Sequence, residues 1–127
     1  MISPDLQYSV LCDDVRREDN GKLMLLGLFE HIGAPAFPYM HPKMCVLNKW
    51  CNGEGSWTQL TRFVDEDDRV LMMDQPITFE LSGLDAHFTA VQIFGNVQLF
   101  NAGRLWIEVL LNGELKQRYM LHITQTE

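Results

Sequence analysis

One stretch near the end of the chain, GRLWIEVLLNGELKQRYMLHI, constrains the fold more than any other. Leu105, Ile107, Val109 and Leu111 alternate with Trp106, Glu108 and Leu110. After Asn112-Gly113, Leu115, Tyr119, Leu121 and Ile123 alternate with Lys116, Arg118, Met120 and His122. A period of two sends successive side chains to opposite faces of a strand, and a polar-leaning second face means packing on a core from one side. Asn and Gly both accept the positive φ of a tight hairpin turn. Gln117 is the one polar residue on the inward set, close enough to the turn to reach solvent.

The same signals recur upstream. Asn20-Gly21 and Asn52-Gly53 are two more Asn-Gly pairs, each between apolar or alternating segments. Further turns are expected at Glu66-Asp67-Asp68 and Asn101-Ala102-Gly103. Strands are expected over residues 8–15, 22–32, 43–50, 56–64, 70–73, 77–81 and 87–99, the last broken or bulged at Gly95. GAPAFPYMHP, residues 33–42, holds three prolines and is expected to be a loop, at an exposed edge or crossing between sheets. No window of ten or more residues shows helical periodicity. The expected fold is one all-β domain over residues 1–127: an antiparallel β-sandwich, immunoglobulin-like in general layout, with a small β-barrel as the alternative.

Charge narrows the functions open to such a domain. With 10 Lys and Arg against 17 Asp and Glu, the net charge is −7. The basic residues are scattered singly or in one pair, which disfavours nucleic acid and anionic membrane surfaces. The longest apolar run, LMLLGLF at residues 23–29, is far too short to span a bilayer. MISPDLQYSV does not read as a signal peptide, and three cysteines cannot all pair internally, so reduced thiols in a cytoplasm are expected.

Two acidic groups are the first candidates for chemistry. Asp13 and Asp14 precede Arg16 and Arg17, and Glu18 and Asp19 sit just before Asn20-Gly21. Paired-carboxylate catalysis needs two acids converging on one point, whereas neighbours in a strand point to opposite faces. A solvated hairpin is the preferred account. Asp65, Asp67 and Asp68 in VDEDDR form a second group, and together with Asp13 and Asp14 could supply oxygens for calcium. Neither segment fits the spaced acidic loop of helical calcium sites.

Cys12, Cys45, Cys51 and the histidines at 31, 41, 87 and 122 lack the close pairing of structural zinc sites. Cys45 and Cys51, six apart in one strand, would stand ~20 Å from each other. No nucleophile elbow or phosphate-binding glycine pattern occurs, and a pair such as Cys45 with His41 has no local signature. Aromatic residues are the remaining lead. Trp50 and Trp57 flank Asn52-Gly53, Trp106 takes an outward parity, and Phe37 and Tyr39 lie in the proline-rich segment. Such rings can anchor a protein partner or stack on a sugar.

LCDDVRREDNGKLMLLGLF, residues 11–29, resembles the opening of a family of small bacterial proteins of unknown function, which pair an L-C-D-D-V-R start with an N-G-K turn and an apolar strand. FNAGRLWIEVLLNGEL, residues 100–115, is similar to their closing P-G-x-Y-x-F-x-V-x-x-D-G-E hairpin, with Ala102 in place of a proline and Leu105 in place of an aromatic residue. That hairpin is also widespread among immunoglobulin-like bacterial sandwiches. The resemblance implies no activity, since the family has none assigned.

The expectation is therefore a cytoplasmic protein-interaction or accessory module with no cofactor, an unknown protein partner and self-association through sheet edges into a homodimer. A ligand-binding domain for calcium or carbohydrate is the alternative, and an enzyme a distant third.

Overall fold

A computed structural model describes residues 1–126 and contains only strands and connections. The strands are β1 (Asp5–Arg17), β2 (Leu23–Leu28), β3 (His31–Ala34), β4 (Tyr39–Cys51), β5 (Gly55–Val64), β6 (Val70–Met73), β7 (Ile77–Leu81), β8 (Phe88–Leu99), β9 (Gly103–Leu111) and β10 (Glu114–Gln125). They form a four-stranded sheet in the order β2-β1-β4-β8 and a six-stranded sheet in the order β3-β10-β9-β5-β6, with β7 also on β5. Every pairing is antiparallel except β3 with β10. Neither sheet closes on itself, so the architecture is the sandwich and not the barrel. Among the described residues no helix is long and apolar enough to cross a membrane.

The closing hairpin forms as its alternation dictates. Asn112 and Gly113 both have positive φ, 47° and 82°, as the two-residue turn requires. Leu105, Ile107, Val109, Leu111, Leu121 and Ile123 are buried. Leu115 departs from the expected inward set. A register shift between Leu115 and Gln117 adds one residue to β10, so Leu115 pairs with Leu110 and stands 48% exposed.

Two other connections differ from the expectation, and each difference is a change of sheet. Residues 22–32 are not one strand: Gly27 takes φ +71°, and the chain leaves the four-stranded sheet after Leu28 to become β3 at the edge of the other. Asn52-Gly53 likewise carries the chain between sheets and is not a hairpin within one, and the turn expected at residues 101–103 joins β8 of one sheet to β9 of the other. The proline-rich segment does cross between sheets, as expected, but strands reach into both its ends, and the Phe37–Pro38 peptide is cis. Pro42 lies inside β4 beyond the stretch that pairs with β1, where β4 has a neighbour only on its β8 side. The irregularity expected at Gly95 falls next to it, at Asn96, with φ +53°.

The core is two apolar clusters with a polar belt between them. Met44, Val46, Phe63, Phe94 and Ile107 belong to the larger cluster, and Trp50, Phe79, Val109 and Leu111 to the smaller. Asn48 lies between Val46 and Trp50 on β4, Gln59 and Thr61 precede Phe63 on β5, and Gln92 precedes Phe94 on β8. All four are buried. Asn48 Nδ2 donates to Thr61 Oγ1 (2.9 Å) and Gln59 Oε1 (3.3 Å), and Gln59 Nε2 donates to Gln92 Oε1 (3.0 Å). Thr61 Oγ1 also donates to Gln92 Oε1, and Gln92 Nε2 reaches Asp74 Oδ2 at 3.2 Å.

Candidate functional site

The crowded acids are held by their own neighbours. Asp14 shares the outer side of β1 with Cys12, and its carboxylate accepts from Lys43 Nζ (2.8 Å), Arg16 Nε (3.1 Å) and the Val15 amide (2.9 Å). Lys43 first and Arg16 second hold its carboxyl down at about 2, against an ordinary 3.8. A depressed carboxyl stabilises the fold fully above the ordinary value, and this contribution is lost as pH falls towards 2. Asp14→Asn is therefore expected to lower the urea midpoint at pH 7, with the gap to wild type closing as pH drops from 4 to 2. An equal gap at pH 7 and pH 2 would mean that the ion pairs contribute nothing. Asp13 is exposed and lies over Gly27, in the space that a side chain there would fill.

Asp65 plays the same structural part in the β5–β6 turn. Its Oδ1 accepts from the Asp67 and Arg69 amides, and its Oδ2 from Arg69 Nε at 2.8 Å. These bonds, against the opposing effect of burial, leave its carboxyl below the ordinary range. Asp67 and Asp68 are exposed, and Asp68 occupies the positive-φ position of the turn. The two acidic turns belong to different sheets. Among the described residues no three His, Cys, Asp or Glu side chains come together to hold a metal ion.

The thiols are buried and free. Burial pushes those of Cys12 and Cys45 up, away from the thiolate form that nucleophilic chemistry needs. Cys45 lies on the outer side of β4, whereas His41 packs beside Phe29 and Tyr39 at the core. A Cys45–His41 pair is thus split across the sheet.

None of the five aromatic candidates offers an open ring. Trp50 is wholly buried, stacks on Phe79 at 5.9 Å and donates to Gln59 Oε1 at 2.8 Å, which removes it as a contact residue. Trp57 packs against the smaller cluster and donates to the Glu54 carbonyl at 2.7 Å. Phe37 and Tyr39 pack against the larger cluster. Trp106 does point outward, but the Arg118 guanidinium covers its ring at 4.0 Å.

The two outer faces of the sandwich are unlike each other. Across the six-stranded sheet Arg62, Glu108 and Arg118 stand in one paired row, with Glu108 bonded to Arg62 at 2.7 Å and Arg118 at 3.3 Å. Across the four-stranded sheet the register sets Leu28, Cys12, Cys45 and Ile93 in one row spanning all four strands. Val10, Leu47 and Val91 form the next row. Leu28 is 66% and Ile93 61% exposed, and Leu26 and Met24 continue the apolar surface along β2. One side of this stripe is bordered by Asp14, Lys43 and Arg16, the other by Tyr8, Lys49 and Thr89. Sequence reading passed over these residues because cysteines and leucines at alternate positions look like core. The signal was present: Val10-Leu11-Cys12 in β1 and Met44 to Leu47 in β4 are consecutive apolar residues, so both faces of each strand are apolar over that central run.

Fold and surface together define a β-sandwich whose two outer faces differ, one carrying the Arg62–Glu108–Arg118 row and the other an apolar row. Residues 7–124 match a family of unknown function, DUF6941, and the chain belongs to that family. No curated protein matches the chain. Among solved structures it is similar to the Pseudomonas fluorescens alkylpurine DNA glycosylase AlkC bound to DNA containing an abasic site analog, at a TM-score of 0.44 and 10% identity. That likeness covers 91% of this chain and 30% of the glycosylase chain.

Proposed function

We propose that the protein is a non-catalytic interaction module whose contact surface is the outer face of the four-stranded sheet. The observation that carries this reading is the apolar row Leu28–Cys12–Cys45–Ile93, about 15 Å across four strands, exposed at Leu28 and Ile93 with Cys12 and Cys45 buried between them, and with charged residues on its border. An outward sheet face is ordinarily polar, and a contiguous apolar patch with a polar rim is the layout of a protein-binding surface. Free buried thiols fit a reducing cytoplasm, and the excess of acids fits a protein partner better than nucleic acid or a membrane surface. Immunoglobulin-like sandwiches often serve in recognition, although layout alone assigns no role.

The partner is another protein or a second copy of the chain. The test compares wild type with Leu28→Asp/Ile93→Asp, two exposed positions where the change leaves the core intact. Wild type at about 50 µM is expected either to sediment as a dimer or to retain a stoichiometric partner from its native host, and the double variant to lose it by at least tenfold in affinity. Indistinguishable behaviour of the two proteins would remove this face as the contact surface.

A further inference from the structure

The open flank between β1 and β10 carries a second inference, sharing only Leu28 with the outer-face row. β2 pairs with β1 only from Cys12 to Arg17, because the chain leaves the sheet after Leu28. Among the described residues, 5–11 of β1 therefore have β4 on one side and no strand on the other. On the opposite sheet β3 pairs with β10 only from His122 onward, so residues 114–121 are bare on the same flank. Between the two bare edges lies a cleft of about 270 Å³, walled by Leu11, Leu28, Phe29 and Met120. A bond between Ser9 Oγ and the Tyr119 hydroxyl (2.9 Å) spans it, and burial pushes the Tyr119 phenol up to about 12, so it keeps its proton.

We infer that this flank binds an extended segment of another protein, which adds as a strand to residues 5–11 of β1 and drops alternate apolar side chains into the cleft. An unpaired strand edge presents main-chain donors and acceptors at the spacing of an incoming strand, while the pockets beside it select alternate side chains. The incoming strand takes the place that β2 vacates and so continues the four-stranded sheet. Residues 5–11 accommodate about seven residues of an extended peptide, with one irregularity where the register of β1 shifts between Leu6 and Tyr8. Among the described residues Glu30 is the only charged one lining the cleft, in a chain of net charge −7. The segment is therefore apolar at alternate positions, free of proline and positively charged where it passes Glu30. A second copy of the chain, itself strongly acidic, meets that requirement poorly.

The test titrates an acetylated and amidated heptapeptide, Lys-Val-Thr-Val-Lys-Val-Thr, into ¹⁵N-labelled protein. The amides of residues 6–11 and of Tyr119 are expected to shift, and edge amides in residues 6–11 to exchange more slowly, with Ile93 unaffected. N-methylating alternate peptide nitrogens separates strand addition from simple insertion of side chains. Methylation on the edge facing β1 is expected to abolish binding, and on the other edge to spare it. Glu30→Lys, at an exposed position, is expected to weaken the lysine peptide about threefold to fivefold and to favour a glutamate version. The inference is overturned by silence at millimolar peptide, by equal binding of both methylated forms, or by shifts on the outer face instead. It is also overturned if residues 6–11 are already protected in the free protein and lose that protection on dilution, since the occupant is then a second copy. Loss of the outer-face partner in Leu28→Asp/Ile93→Asp bears on the earlier proposal. Ile93 is remote from the cleft, so Ile93→Asp alone is expected to leave peptide binding unchanged and keeps the two failures distinct.

Discussion

Trp50→Ala is expected to lower stability by about 3–5 kcal/mol, among the largest effects of any single truncation in the protein. The indole is wholly buried, stacked on Phe79, which in turn stacks on Phe88 at 4.6 Å. Removing it takes the central ring from the smaller core cluster, where few other large side chains can move in. Trp50→Phe helps to separate packing from hydrogen bonding, because it keeps a smaller aromatic ring and deletes the Nε1 donor to Gln59. That variant is expected to cost about 1–3 kcal/mol, from the lost bond and the smaller ring. Urea unfolding followed by circular dichroism reads both. A loss under 1 kcal/mol for Trp50→Ala would contradict its placement in the core.

The second large effect belongs to the polar belt. Gln92→Leu deletes the acceptor shared by Gln59 Nε2 and Thr61 Oγ1 and leaves two buried donors unpaired, an expected cost of about 2–4 kcal/mol. Replacing Asn48, Gln59, Thr61 and Gln92 together with apolar residues of similar volume is expected to cost less than the sum of the four single replacements. An unpaired polar group carries a penalty that a belt removed as a whole does not, although Trp50 Nε1 would still need a partner. Strict additivity in the same unfolding assay would show that the belt does not act as a unit. The belt separates two clusters that would otherwise merge. A slip of one residue in β4, β5 or β8 would carry these polar groups out of reach of one another, so their bonds fix how the two sheets face each other.

Much of this fold was legible from residue order because its signals are local. The Asn112-Gly113 hairpin, β6 at Val70–Met73 and β7 at Ile77–Leu81 fall where alternation and turn residues put them. Alternation also marked Leu105, Ile107 and Val109 as inward, and all three are buried. Local signals failed where the chain changes sheet. Residues 23–29 are apolar but for Gly27, and nothing in that run says that the chain beyond Leu28 goes on to pair with β10 rather than β1. The β10 bulge that turns Leu115 outward depends on register against β9, again a property of two strands and not of one.

For the site the division is sharper. The acids looked like chemistry because they are crowded, and parity argued correctly that Asp13 and Asp14 point apart. Only the fold brought Lys43, twenty-nine residues away in sequence, onto Asp14. The indoles looked like contact surfaces because they flank turns, but burial of Trp50 and the cover that Arg118 gives Trp106 are tertiary facts.

By itself the sequence determined an all-β chain, its main turns, the inward faces of its strands and its acidic surface, since each follows from residue spacing and formal charge. The tertiary structure alone decided which strands are neighbours. Through that choice it aligned Leu28, Cys12, Cys45 and Ile93 into one apolar row and, among the described residues, left residues 5–11 of β1 paired on the β4 side alone. Strand pairing joins residues far apart in the chain, and its geometry is set by how two whole sheets pack and where the chain crosses between them.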